Sequence, residues 1–133
     1  MDTSKQYVEM CEKATEIQSV HDITDYEHDI VYCRACEGVC HEDSGYYFCC
    51  GETDGLWLPQ QDDLQEMWAI HEYGNERANN WTTFVLDQFS YWVLSGNAGL
   101  STLDVSMEQL WLAFIMKEKY GKVWNGEEWV VSN

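Results

Sequence analysis

The stretch SMEQLWLAFIMKEKYGKVWNGEEWVV, residues 106–131, reads as a helix followed directly by a hairpin, and it decides the fold class. Ser106-x-x-Gln109 has the form of a capping box, in which two side chains satisfy backbone N–H groups at a helix start. Apolar residues then recur at Met107, Leu110, Trp111, Phe114 and Ile115, the three-and-four spacing of one helix face, and Leu112 and Met116 widen it. Lys117, Lys119 and Lys122 cluster at the end, where the helix dipole favours cations. Asn125-Gly126 between β-prone residues is a strong hairpin signal. A four-residue loop, Asn125 to Glu128, sets Trp124 opposite Trp129, whereas a two-residue loop sets Trp124 opposite Glu127. The longer loop is expected, because a cross-strand aromatic pair is worth up to about 1 kcal/mol.

Working outward, Pro59 opens a helical region over 59–121. Leu64, Met67, Trp68 and His71 share one face of a helix over about 61–73, ended by Gly74-Asn75. A second helix over about 80–94, capped by Asn80, carries Trp81, Phe84, Val85, Phe89, Trp92 and Val93 on its apolar face. At the other end of the chain, Tyr7, Met10, Cys11, Ala14, Ile17 and Val20 predict one amphipathic helix over 3–20. Between 21 and 58 the helical period vanishes. Short β-like pieces stand at Ile30-Val31-Tyr32, Tyr46-Tyr47-Phe48 and Leu56-Trp57-Leu58, separated by turn residues. The expectation is one α+β domain over 1–133: an N-terminal helix, a short zinc-stapled antiparallel β element, a three-helix region and a hairpin over 122–131.

Composition bounds the function classes. At 133 residues, with 7 Trp, 8 Tyr and 4 Phe, the chain suits one packed core and is not a disordered protein. The formal charge of -17 excludes direct binding to nucleic-acid phosphates, which depends on cations displacing counterions. No apolar run reaches the length of a membrane span. The start, Met1-Asp2-Thr3-Ser4-Lys5-Gln6, lacks a basic region followed by an apolar run, so a cytoplasmic setting is expected.

That setting governs the reading of six cysteines, at 11, 33, 36, 40, 49 and 50. In a reducing compartment a cluster of thiols reads as a metal site rather than a disulfide scaffold. Cys33-x2-Cys36 lets two sulfurs reach one metal from a tight knuckle, and the distant pair Cys49-Cys50 completes a structural zinc tetrahedron. Adjacent strand residues point to opposite faces, so Cys40 or His41 competes for the fourth position. The alternatives are buried small apolar thiols, a disulfide or an iron–sulfur cluster. Cys11, on its helix face, reads as core.

Catalytic templates fail. His71-Glu72 is followed by no second histidine at metalloprotease spacing, and there is no deaminase signature, phosphate loop or nucleophile elbow. No general acid or base is assigned, and the reading is non-enzymatic. The acidic residues are more informative. Between Asp22 and Glu76 every Lys, Arg, Asp and Glu is acidic except Arg34. Such a face steers a basic partner, or it merely solvates the protein. Asp43, Glu52, Asp54, Asp62, Asp63 and Glu66 are the candidate partner-binding residues, and charge reversal at Asp62 and Asp63 is expected to cost binding without costing stability. Trp57 and Trp68 lie in the same segment and read as core rather than as exposed interface anchors.

Residues Met107 to Val130, together with Leu56 to Gln65, resemble small uncharacterised bacteriophage and prophage proteins. The resemblance carries no activity and no functional residue; it implies a protein acting in a bacterial host cytoplasm. Two functions are then expected from different classes. One is an acidic inhibitor, for counter-defence or host takeover, that occupies a basic surface of a nucleic-acid-processing host protein. The other is a zinc-stabilised adaptor between proteins, with a metal-dependent hydrolase behind both. Self-association is compatible with each.

Overall fold

The structure, a computed structural model, describes residues 2–20, 30–34, 37–40, 55–74, 81–96 and 104–132. It is α+β, with five helices and two small antiparallel sheets among the described residues. The chain divides into two compact units, Thr3–Pro59 and Met1–Asp2 with Gln60–Asn133.

In the unit Thr3–Pro59, the hydroxyl of Ser4 accepts from Tyr7 N–H at 3.2 Å and starts helix α1, Lys5–Lys13. The expected single helix over 3–20 breaks at Ala14, and α2 follows as Thr15–Val20. No glycine or proline marks the break. Both backbone groups of Ala14 stay paired: its N–H reaches the carbonyls of Met10 and Cys11, while its O accepts from Ile17 and Gln18. Strands β1 (Val31–Cys33), β2 (Gly38–Cys40) and β3 (Gly55–Trp57) form an antiparallel sheet in the order β2-β1-β3. Two of the expected β pieces correspond to β1 and β3 with a one-residue shift, and Tyr46-Tyr47-Phe48 lies outside the described residues. β2 was not expected.

Edge strand β3 shows how this unit closes. Leu58 N–H bonds inward to Ile30 O at 2.8 Å, so Trp57, one residue earlier, turns its backbone groups outward. The Gln18 amide meets both: Nε2 donates to Trp57 O at 2.9 Å and Oε1 accepts from Trp57 N–H at 3.2 Å. A side-chain amide thus takes the place of a neighbouring strand and blunts the edge. The Tyr7 hydroxyl donates to Pro59 O at the end of the unit.

The second unit is arranged around α5, Met107–Tyr120, whose residues Gln109 to Met116 are all buried. Ser106 caps it, its hydroxyl accepting from Gln109 N–H at 3.1 Å and donating to Asp2 Oδ2 at 2.6 Å. Gln109 Nε2 donates to the same oxygen at 2.7 Å, which gives the amide nitrogen of this buried side chain its partner. Helices α3 (Gln61–Tyr73) and α4 (Trp81–Leu94) pack on α5. Phe89 stacks on Trp111 with centroids 3.9 Å apart, and Phe114 meets Trp68, Trp92 and Phe89 edge-on. Met107 and Phe84, placed by spacing on apolar faces, are exposed. Gly121, in the left-handed region at φ 67, ends α5 and leads into β4 (Lys122–Trp124) and β5 (Trp129–Val131). The register sets Trp124 opposite Trp129, with centroids 5.2 Å apart, across the four-residue loop. Asn125 Oδ1 holds that loop by accepting from the N–H groups of Glu127 and Glu128.

Two stability predictions follow from these caps. Gln18→Ala strips both outward groups of Trp57 and should lower unfolding free energy by about 1–3 kcal/mol in a denaturant titration. At the start of α3, Asp63 Oδ2 accepts from Gln60 N–H at 2.8 Å, whereas Asp62 is exposed. Asp63→Ala should therefore cost about 1 kcal/mol, and Asp62→Ala only a few tenths through the helix dipole. Equal costs would show that the cap contributes nothing.

Candidate functional site

The cysteine-bearing sheet is built on β1. Its register makes three rows across the strands: Cys40, Val31 and Trp57; then Val39, Tyr32 and Leu56; then Gly38, Cys33 and Gly55. Cys33 is buried, at 2% exposure, and both of its cross-strand neighbours are glycines. No side chain of β2 or β3 shares its row, which is the arrangement of strand glycines where another group approaches closely. The connection from Cys33 to Gly38 is four residues, 34–37, and the sequence puts Cys36 inside it. Glu37 in this connection has φ 52, and it alone among the described non-glycine residues is left-handed. A left-handed Glu costs about 1–2 kcal/mol, so the turn is held against a local preference.

Cys40 ends β2 opposite Val31, two residues along β1 from Cys33 and away from the turn. Cys36, His41, Cys49 and Cys50 lie outside the described residues. Among the described residues, no group of three or more His, Cys, Asp or Glu is placed to hold a metal. The segment carrying Cys49 and Cys50 re-enters the sheet at Gly55, beside Cys33. Cys49 is six residues from that point, a reach of at most about 20 Å.

The acidic candidates divide similarly. Asp43, Glu52 and Asp54 lie outside the described residues. Asp62 and Glu66 are exposed one turn apart on α3 and share a face. Asp63 is committed to the Gln60 N–H, which corrects the expectation that its reversal would leave stability untouched. Arg34, the lone base of the acidic stretch, places Nε 3.3 Å from Glu12 Oε1. Both lie along a cleft of about 360 Å³ with Lys5, Glu9, Tyr32 and Glu37, and Lys5 and Glu9 form a further ion pair there at 3.9 Å. Exposed pairs of this kind are worth at most about 1 kcal/mol. Trp57 and Trp68 are buried, as core residues.

Sequence reasoning missed a second cleft, of about 330 Å³, where α3, α4 and α5 meet. Trp68, Trp92 and Phe114 line it, with Gln88, Tyr91, His71, Glu72 and Glu118. Trp68 Nε1 donates to Gln88 Oε1 at 2.9 Å, which fixes the indole, and the His71 ring lies 5.2 Å from it. The signal available was Tyr91 beside the buried face of α4, followed by Glu118 one turn after Phe114 on α5. Spacing identifies the shared faces but not how the three helices meet.

Among the described residues no helix is long and apolar enough to cross a membrane. No family model, curated protein or solved structure matches this chain.

Proposed function

We propose that this chain is an acidic, non-enzymatic inhibitor of phage type, which occupies a basic, nucleic-acid-binding surface of a host protein in the bacterial cytoplasm. One observation carries the reading. From Asp22 to Glu76 a single basic side chain, Arg34, stands among the acids, and it lies against Glu12, while Asp62 and Glu66 face solvent from one side of α3. Carboxylates on a regular helix are fixed in spacing, so they can replace successive phosphates on a basic partner. The phage setting rests on the resemblance of the C-terminal stretch.

Capture from bacterial lysate tests this. The expected partners bind nucleic acid, are displaced by DNA and are lost at high salt, because exposed charge pairs are screened. Asp62→Lys with Glu66→Lys should weaken capture roughly tenfold, at up to about 1 kcal/mol per exposed pair lost, while the protein stays folded with a small loss of thermal stability from the reversed charge in the first turn of α3. Capture that ignores salt and DNA, or that survives the double reversal, would overturn it.

A zinc-stabilised adaptor is the second reading, favoured by the glycine-flanked Cys33 and the four-residue turn that contains Cys36. Cys33, Cys36 and Cys49 would hold the zinc, with Cys50 as fourth ligand and Cys40 or His41 as alternatives. The return of the chain beside Cys33 suits the distal pair. Such a metal would stabilise the sheet outright, since binding energy at a structural site is folding energy. Purified protein should carry about one zinc equivalent by elemental analysis, and Cys33→Ser should lose it and melt at markedly lower temperature. Metal-free protein with the stability of the purified form would exclude zinc. Salt-insensitive capture together with bound zinc would favour the adaptor.

A further inference from the structure

We propose that the cleft between α3, α4 and α5 is a binding site for an organic cation, an alkylammonium or guanidinium group. Its inner lining is aromatic: Trp68, Trp92 and Phe114 are all buried, and their rings are locked by mutual edge contacts at 4.8 and 5.4 Å. Tyr91 stands at the rim, 76% exposed, its side chain in no ring contact or hydrogen bond among the described residues. A large aromatic left in water beside an aromatic cleft has its face available to a ligand.

Charge selects the ligand. Glu72 and Glu118 line the same cleft, both exposed, and neither has an ion pair or hydrogen bond among the described residues. Among the described residues no lysine or arginine lines it, and His71 is the remaining side chain there that can carry a positive charge. Lys117, adjacent to Glu118, donates instead to the Ser132 hydroxyl. An anion would meet two carboxylates and the negative face of the exposed Tyr91 ring. A neutral apolar group would leave the carboxylates unused. A cation gains from both, because the Tyr91 ring face attracts it and the carboxylates offset its lost hydration. Gln88 fixes Trp68, so the site is formed before the ligand arrives. The inference is independent of the acidic face on α3, since it uses neither Asp62 nor Glu66.

Titration of the full chain with butylammonium, butylguanidinium and 1-butanol tests it, read from the indole N–H resonances of Trp68 and Trp92. Both cations should shift these signals saturably, and the neutral alcohol should bind at least roughly tenfold more weakly. Tyr91→Ala should weaken cation binding by roughly two- to fivefold, and Glu72→Gln with Glu118→Gln by more. All three residues are exposed, so melting temperatures should hold and report that the fold survives. A blocked Gly-Lys-Gly peptide binding more tightly than butylammonium would assign the site to a protein side chain, and weaker binding would assign it to a small free cation. Either supports the shared chemistry. Absent shifts, equal binding of butanol, or affinity unchanged in the carboxamide double variant would overturn it.

Discussion

From Gln109 to Met116, α5 has no side turned to water. A helix apolar on all sides must be enclosed, and this requirement governs the unit that contains it. α3, α4 and β4 each supply part of the wall. Trp111, fully buried, stacks against Phe89 from α4, while Phe114 takes the edges of Trp68 and Trp92 from α3 and α4. The one polar residue within the buried run, Gln109, has its amide nitrogen met by Asp2, whose carboxylate also receives the capping Ser106 hydroxyl. One carboxylate oxygen at the positive end of the helix thus serves three purposes: a dipole partner, a cap support and the acceptor for a buried amide.

Enclosing a helix with this many rings also explains what lies on the surface. The aromatic side chains of the three helices leave a cleft bounded by Tyr91, Glu72 and Glu118. The acids stay outside because a carboxylate cannot enter such a core without a partner. With few bases available to neutralise them, they leave a surface dominated by one sign. The other unit handles its polar groups differently. Its small sheet has an outward edge at Trp57, and the Gln18 amide rather than another strand completes it.

Much of this was readable in the sequence where the signal was local. The hairpin followed from Asn125-Gly126 and from the preference of Trp124 for Trp129, both properties of adjacent residues. The helices α3, α4 and α5 followed from apolar period and from caps. The break at Ala14 was not readable, because the backbone groups of Ala14 pair locally with Met10, Cys11, Ile17 and Gln18 and no glycine or proline marks it. β2 begins on a glycine and lasts three residues, too short to show a period. Asp63 looked like one member of an acidic cluster because Gln60 is an unusual cap residue, and its role depends on a backbone N–H that sequence does not display. Met107 fits the apolar spacing of α5 but sits in its first turn, before the enclosure by neighbouring elements begins, and is exposed. Cys33 was named as a ligand from its spacing to Cys36; its glycine neighbours, Gly38 across the turn and Gly55 from a strand distant in sequence, emerge only with the register.

The central claim is that the acidic surface acts by replacing phosphates on a basic partner. The most direct measurement is the affinity of the purified chain for one captured nucleic-acid-binding partner over a range of salt concentrations. If these carboxylates replace phosphates, log Kd rises linearly with log salt, and the slope falls when Asp62 and Glu66 are both changed to neutral amides. A slope near zero, or one identical in the amide variant, would contradict it.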